Sequence, residues 1–234
     1  MQKVLAAAGV ASRRKCEQLI LDGVVEVNGK VVDRLPCFVD AGRDVITVNG
    51  RKVKAAGKVY YLLNKPKGVV CTNSDLQGRK RAIDIVGADE RIFCVGRLDI
   101  DSTGAIVLTN DNELANKLTH PRYEVPKTYV VKVKGRVSGQ SIEILKRGVW
   151  LAEGKTRPAL VKALKRSAVE SMLEITIRQG LNRQVRRMLA KVGHKVVALK
   201  RTRISKLNVR GLGVGKFRKL TRPEVAYLTK ATSK

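Results

Sequence analysis

Two aspartates stand one residue apart in "GRLDIDSTG", Gly96 to Gly104, beside Arg97 and between glycines. A carboxylate held in such a loop can serve as general acid, base or nucleophile. It can equally close a turn or cap a helix. Asp101 suits the turn, which leaves Asp99 as the candidate for chemistry. A second group lies in "NRQVRRMLAKVG", where Arg183, Arg186 and Arg187 are spaced i, i+3 and i+4. That spacing predicts one shared helix face. Like charges so close destabilise an isolated helix, and a phosphate backbone is the natural partner to offset the repulsion. Between Ile175 and Pro223 there is no acidic residue, while fifteen Lys and Arg lie between Arg178 and Arg222. Two further residues are candidates. Lys65, in "NKPKG", is placed to meet a phosphate or to sit exposed in a turn. Tyr129, in "KTY", is a strand tyrosine, which by itself reads as packed in the core.

The chain has 48 Lys and Arg against 20 Asp and Glu, a formal charge of +28. Such a field attracts polyanions, nucleic acid first and membrane surfaces second. No apolar run approaches the ~18 residues of a membrane span, so no membrane crossing is expected. The apolar stretch in "MQKVLAAAGVASRRK" is too short for a signal peptide. Cys16, Cys37, Cys71 and Cys94 are far apart with no CxxC pair, which reads as buried free thiols in a reducing cytoplasm. With two histidines and no His/Cys cluster, metal-free chemistry is expected. The lone Trp150 reads as a packing residue.

These groups need elements to position them. "QKVLAAAGV" reads as a short helix ended by Gly9, and Ser12 caps a second, "RRKCEQLILDG", with Cys16, Leu19 and Ile20 on one face. Arg13, Arg14 and Lys15 occupy its first turn, where positive charge opposes the helix dipole. They form either a solvated edge or a phosphate-binding one. Asn28-Gly29 and Asn49-Gly50 mark two hairpins. A small unit therefore spans 1–50, and basic 51–59 reads as a linker. From Tyr60 to 234 strands outnumber helices and do not alternate regularly with them, which predicts α+β with a mixed, mainly antiparallel sheet. Strands are expected on both sides of the "NKPKG" turn, in "RIFCV", after the Asp99 loop, and in "KTYVVKVKGRV", "SMLEITIRQG" and "KVVALKRTRI". Helices are expected in "NDNELANKLTH", "SGQSIEILKRGV" and "NRQVRRMLAKVG".

Residues 1–50 also resemble the S4 RNA-binding domain, through "KVLAAAGVASRRKCEQLILDGVVEVNGKVV". That resemblance favours the phosphate-binding reading of Arg13, Arg14 and Lys15. "GRLDIDSTGAIVLTND" closely resembles the signature of the RsuA/RluB branch of pseudouridine synthases. "YYLLNKPKGVV", "ELANKLTHPRYEVPKTYVVKVKG" and "GLNRQVRRMLAKVGHKVVALKRTRIS" match the same family in order. Together the blocks cover nearly the whole chain, and it looks most like the large-subunit members, whose target is 23S rRNA. Three positions depart from the family pattern: Leu181 replaces a usual Arg or Lys, Ala105-Ile106-Val107 replaces a Leu-rich run, and Asn112 replaces Gly. Leu181 removes one expected RNA contact.

The resemblance implies a small S4 module before a catalytic domain, and isomerisation of uridine to pseudouridine in rRNA. No cofactor or metal is needed, because no electrons are exchanged and no atoms are added. Asp99 is implied as the catalytic carboxylate, nucleophile or base, with Arg186 as its ion-pair partner. Tyr129 would stack on the flipped uracil. Arg97, Lys65, Asn182, Arg183 and Arg187 would contact substrate. A monomer is expected. A 16S rRNA target and a non-catalytic RNA-binding or ribosome-associated protein are the alternatives; the second does not account for "GRLDIDSTG" together with "KTY" and "NRQVRRM".

Overall fold

The computed structural model describes residues 1–231. They cluster into two compact units. The first is Met1–Val59 with Asp89–Arg91 and Asn110–Asn112; the second is Tyr60–Ala88, Ile92–Thr109 and the chain from Glu113 onward.

In the first unit, α1 (Gln2–Ala7) and α2 (Arg13–Leu21) precede β1 (Val25–Val27), β2 (Lys30–Val31), β3 (Ile46–Val48) and β4 (Arg51–Lys52). Ser12 caps α2, its hydroxyl accepting from the Lys15 amide at 3.2 Å. Cys16 and Ile20 point inward with Leu5, Val25 and Ile46, and Leu19 packs at the margin. The four strands form one sheet in the order β2-β1-β3-β4. Both Asn-Gly pairs have positive φ at each residue (52° and 77°, 48° and 72°), as the tightest hairpin turns require. Arg51 and Lys52 pair with Val48 and Thr47, so the expected linker loses its first two residues to the sheet. Its end is also held within this unit. The Asn110 side chain accepts from the Val59 amide at 2.9 Å and donates to the Gly57 carbonyl at 2.7 Å, and Lys58 pairs with Asp111 at 3.0 Å.

The second unit runs β5 (Tyr60–Lys65), α3 (Ala82–Val86), β6 (Phe93–Cys94), β7 (Thr103–Thr109), α4 (Asn112–Thr119), β8 (Lys127–Lys134) and α5 (Gly139–Arg147). It continues with β9 (Trp150–Leu151), β10 (Gly154–Lys155), β11 (Leu160–Arg166), β12 (Glu170–Ile177), α6 (Gln184–Lys191), β13 (Val196–Ile204), β14 (Leu207–Asn208), β15 (Phe217–Lys219) and α7 (Arg222–Ala231). A nine-stranded sheet has the order β11-β12-β8-β13-β7-β5-β15, with β14 added beside β13 and β6 beside β7. All its pairings are antiparallel except β13 with β7. The sheet is therefore mixed and mainly antiparallel, and the class is α+β.

β7 is buried along nearly its whole length and reads as an unbroken apolar run, while β12 alternates strictly. A central strand covered on both faces and one covered on a single face differ in this way. Leu114 and Leu118 of α4 join the core with Leu62, Val107 and Leu228. At the parallel pairing, Arg201 lies beside Gly104. A Cβ on Gly104 would fall 2.8 Å from the Arg201 carbonyl carbon and amide nitrogen and closer still to its carbonyl oxygen, and its φ is +106°.

Several expectations need correction. The strand after the "NKPKG" turn is absent, because Val70 makes a single bridge to Arg81. Trp150 is 70% exposed on the two-stranded β9–β10 ribbon, which leaves its outer face open. Of the four thiols, Cys16 alone is buried; Cys37, Cys71 and Cys94 are half-buried. Among the described residues, no helix is long and apolar enough to cross a membrane.

Candidate active site

Asp99 sits in the loop between β6 and β7, where the Ser102 amide closes a turn onto the Asp99 carbonyl at 3.0 Å. The Leu98 amide donates to Cys71 Sγ at 3.5 Å and holds the loop from behind. The loop opens onto a cleft of about 370 Å³, lined by Arg97, Asp99, Lys127, Tyr129, Asn182, Arg183 and Arg201 among others. The conformational demand of "GRLDIDSTG" is visible at its ends, where Gly96 has φ +74° and Gly104 φ +106°.

The two aspartates meet two arginines from the start of α6. Arg183 Nη1 lies 3.1 Å from Asp99 Oδ2 and 3.6 Å from Asp101 Oδ1. Arg186 Nη2 lies 3.1 Å from Asp101 Oδ2, and its Nε is 3.7 Å from Asp99 Oδ2. Arg186 also donates from Nη2 to the Ser102 hydroxyl at 3.2 Å. The expected pair of Arg186 with Asp99 is present, but Arg183 is the nearer partner of Asp99, and Arg186 chiefly holds Asp101. The reason is where the helix starts. α6 begins at Gln184, and Arg183 precedes it in the left-handed region at φ 47°, a conformation a bulky residue seldom adopts. Arg183 therefore stands just outside the helix, yet it and Arg186 both turn toward the aspartates. Arg187 is drawn elsewhere, forming a two-pronged pair with Glu153 at 2.8 and 2.9 Å. Asp101 lies within the turn from Asp99 to Ser102, as expected, and also belongs to the ionic cluster.

Tyr129, 9% exposed on β8, lines the cleft. Arg97 and Asn182 line it too and are exposed. Leu181 presents an apolar side chain there. Lys65 is not presented to solvent. It is fully buried at the end of β5, with Nζ donating to the Val69 and Pro66 carbonyls at 2.7 and 2.9 Å. Burial pushes its ammonium below the ordinary lysine range. In the first unit, Arg13, Arg14 and Lys15 are all exposed on the first turn of α2.

Sequence reasoning missed two cations in the cleft, Lys127 and Arg201. Lys127, two residues before Tyr129, donates to the Leu118 carbonyl at 3.2 Å. Burial, and secondarily the charge of Arg201, push it down to about 8. Between about 8 and its ordinary 10.5 the unfolded chain binds more protons, so stability rises with pH across that window. Urea denaturation of wild type and Lys127→Met should show this. The wild type gains stability relative to the variant from pH 8 to 10.5, whereas a constant difference would mean that Lys127 is not desolvated.

Comparison with known proteins identifies the family of each unit. A family model described as RNA pseudouridylate synthase matches residues 59–191, and the S4 domain model matches residues 2–45. The ribosomal large subunit pseudouridine synthase B of Bacillus subtilis is 50% identical over 231 residues, covering 97% of this chain and 94% of that protein. An uncharacterized RNA pseudouridine synthase of Aquifex aeolicus is 41% identical, covering 99% and 94%. A crystal structure of a pseudouridylate synthase superposes with a TM-score of 0.70 at 28% identity, covering 97% of this chain and 98% of that one. By both of its units, and across nearly its whole length, the chain belongs to the RNA pseudouridine synthases that carry an N-terminal S4 domain.

Proposed function

We propose that this enzyme isomerises a uridine of large-subunit, 23S, ribosomal RNA, with Asp99 as its catalytic carboxylate. The observation that carries the catalytic assignment is the placement of Asp99 at the cleft edge, held by Arg183 at 3.1 Å and facing the same cavity as Tyr129. The choice of RNA rests on the similarity to the large-subunit enzyme of Bacillus subtilis.

The reaction breaks the C1′–N1 bond, turns the uracil, and joins C1′ to C5. The C5 proton leaves and N1 gains one, so the product is an isomer. An ionised carboxylate beside the ribose can attack C1′ or take a proton from C2′. The target nucleotide must be flipped to reach the cleft, and Tyr129 offers a ring for the base to stack on. The exposed Arg13, Arg14 and Lys15 of the S4 unit bind backbone phosphates elsewhere on the RNA.

Carbodiimide-adduct mapping of 23S and 16S rRNA, with and without the purified protein, tests this reading. One new adduct site in 23S rRNA is expected. A site in 16S rRNA would overturn the target, and no new site in either would overturn the activity.

A further inference from the structure

Arg201 stands in mid-β13, directly opposite Tyr129 on β8. Side chains so paired project from the same face of a sheet, and both residues line the cleft. The Arg201 residue is only 4% exposed. Its Nε donates to the Ala105 carbonyl at 2.6 Å, which fixes the plane of the guanidinium. Among the described residues its Nη2 has no hydrogen-bond partner. An unpaired buried donor is costly, and more so on a charged group. It is tolerated where a ligand brings the acceptor.

We infer that the terminal edge of the Arg201 guanidinium reads the flipped base by donating to a ring carbonyl, and so selects uracil. The inference rests on the isomerase reading and adds a specificity residue to it. The reason lies in the symmetry of the substrate. Turning uracil about its N3–C6 axis exchanges N1 with C5, and it also exchanges the C2 carbonyl with the C4 carbonyl. A donor fixed in the cleft wall meets one carbonyl oxygen before the turn and the other after it. The hydrogen bond is kept in both orientations, so the base is held without being trapped in either. Cytosine lacks this property. Its position 4 carries an amino group, which turns a donor toward Arg201 in one of the two orientations. Sites built to hydrogen-bond a substrate group reject analogues without it far more strongly than apolar pockets do.

The test uses an RNA fragment whose uridine the wild-type enzyme converts, and the same fragment with 4-thiouridine or 2-thiouridine at that position. Sulfur accepts hydrogen bonds poorly. Single-turnover rates are measured for wild type, Arg201→Met and Arg201→Lys, with circular dichroism as a check on folding. Either thio substitution should slow the wild type by about tenfold or more, as expected for a lost charge-assisted bond. Arg201→Met should be slow on uridine and nearly indifferent to sulfur. Arg201→Lys, which keeps a cationic donor, should recover part of the discrimination. If Arg201→Met discriminates as strongly as wild type, Arg201 is structural and the proposal fails. Should that variant not fold, Arg201→Lys decides: its single, shorter donor must change the oxygen-to-sulfur ratio, and an unchanged ratio overturns the proposal. A wild-type enzyme that converts uridine and both thiouridines equally fast refutes the role of Arg201 and leaves the activity intact. If the wild type converts no rRNA fragment at all, it is the activity that is refuted instead.

Discussion

Asp99→Asn retains less than about one hundredth of the wild-type single-turnover rate, a loss of at least ~2.7 kcal/mol in transition-state stabilisation, while RNA affinity stays within a few-fold. Asparagine fills the same space and still offers an oxygen to Arg183, so the loop should keep its shape. What disappears is the charge that both candidate roles require. Affinity survives because the carboxylate repels phosphate, and its removal leaves Arg183 and Arg186 to Asp101. The measurement is a single-turnover assay at saturating enzyme, with a filter-binding titration of the same RNA. Residual activity above about 1% would remove Asp99 from the centre of the mechanism.

Gly104→Ala should cost about 3 kcal/mol or more of stability, at the upper end of single substitutions, and displace the Asp99 loop with it. The new Cβ would collide with the backbone of Arg201, which has no flexible end to move aside. The parallel contact of β13 with β7 consists of two residue pairs, Lys200 with Thr103 and Arg201 with Gly104. Separating the strands there would disturb Asp99 on one side and Arg201 on the other. Gly50→Ala is the control. It also has positive φ, +72°, but nothing lies within 4 Å of its built Cβ, so backbone strain of about 1–2 kcal/mol is the whole effect. Urea midpoints of the two variants decide the matter. A Gly104→Ala protein no less stable than Gly50→Ala would show that the sheet yields at this point.

The sequence disclosed most where a local signal and burial agree. The cap at Ser12, the Asn-Gly turns, the Leu114 and Leu118 pair and the alternation in β12 all behave as their patterns require. It disclosed least where tertiary contacts overrule the pattern. "GVVCT" is apolar enough for a strand, yet its neighbours offer one bridge and no ladder. α3 is too short for periodicity to show; its start is fixed by Arg81 and Asp84 bonding one another. In the site, Asp99 was legible from its motif. The ion pairs of Asp101 were not, because Arg183 and Arg186 lie more than eighty residues along the chain. Arg183, Arg186 and Arg187 read as three equal charges on a helix face, but Arg183 is a left-handed residue before the helix and Arg187 turns away to Glu153. Arg201 was hidden among the basic residues of "ALKRTRI", where charge in a strand suggests the solvent side. Its burial becomes visible only once β7 and β8 are in place around it.

The four-membered ionic cluster also bears on how the enzyme sorts the parts of a nucleotide. Two carboxylates and two guanidiniums cancel at the loop, within a chain whose formal charge is +28. The long-range field draws the polyanionic backbone to the surface from every direction. At the Asp99 loop the two aspartates offset Arg183 and Arg186, and the cations left over are Arg97 in the loop and Lys127 and Arg201 in the cleft lining. A phosphate entering there would meet three cations instead of five, while the uncharged base is indifferent to the count. The two aspartates of "GRLDIDSTG" would then set how strongly the cleft competes with the outer surface for the backbone.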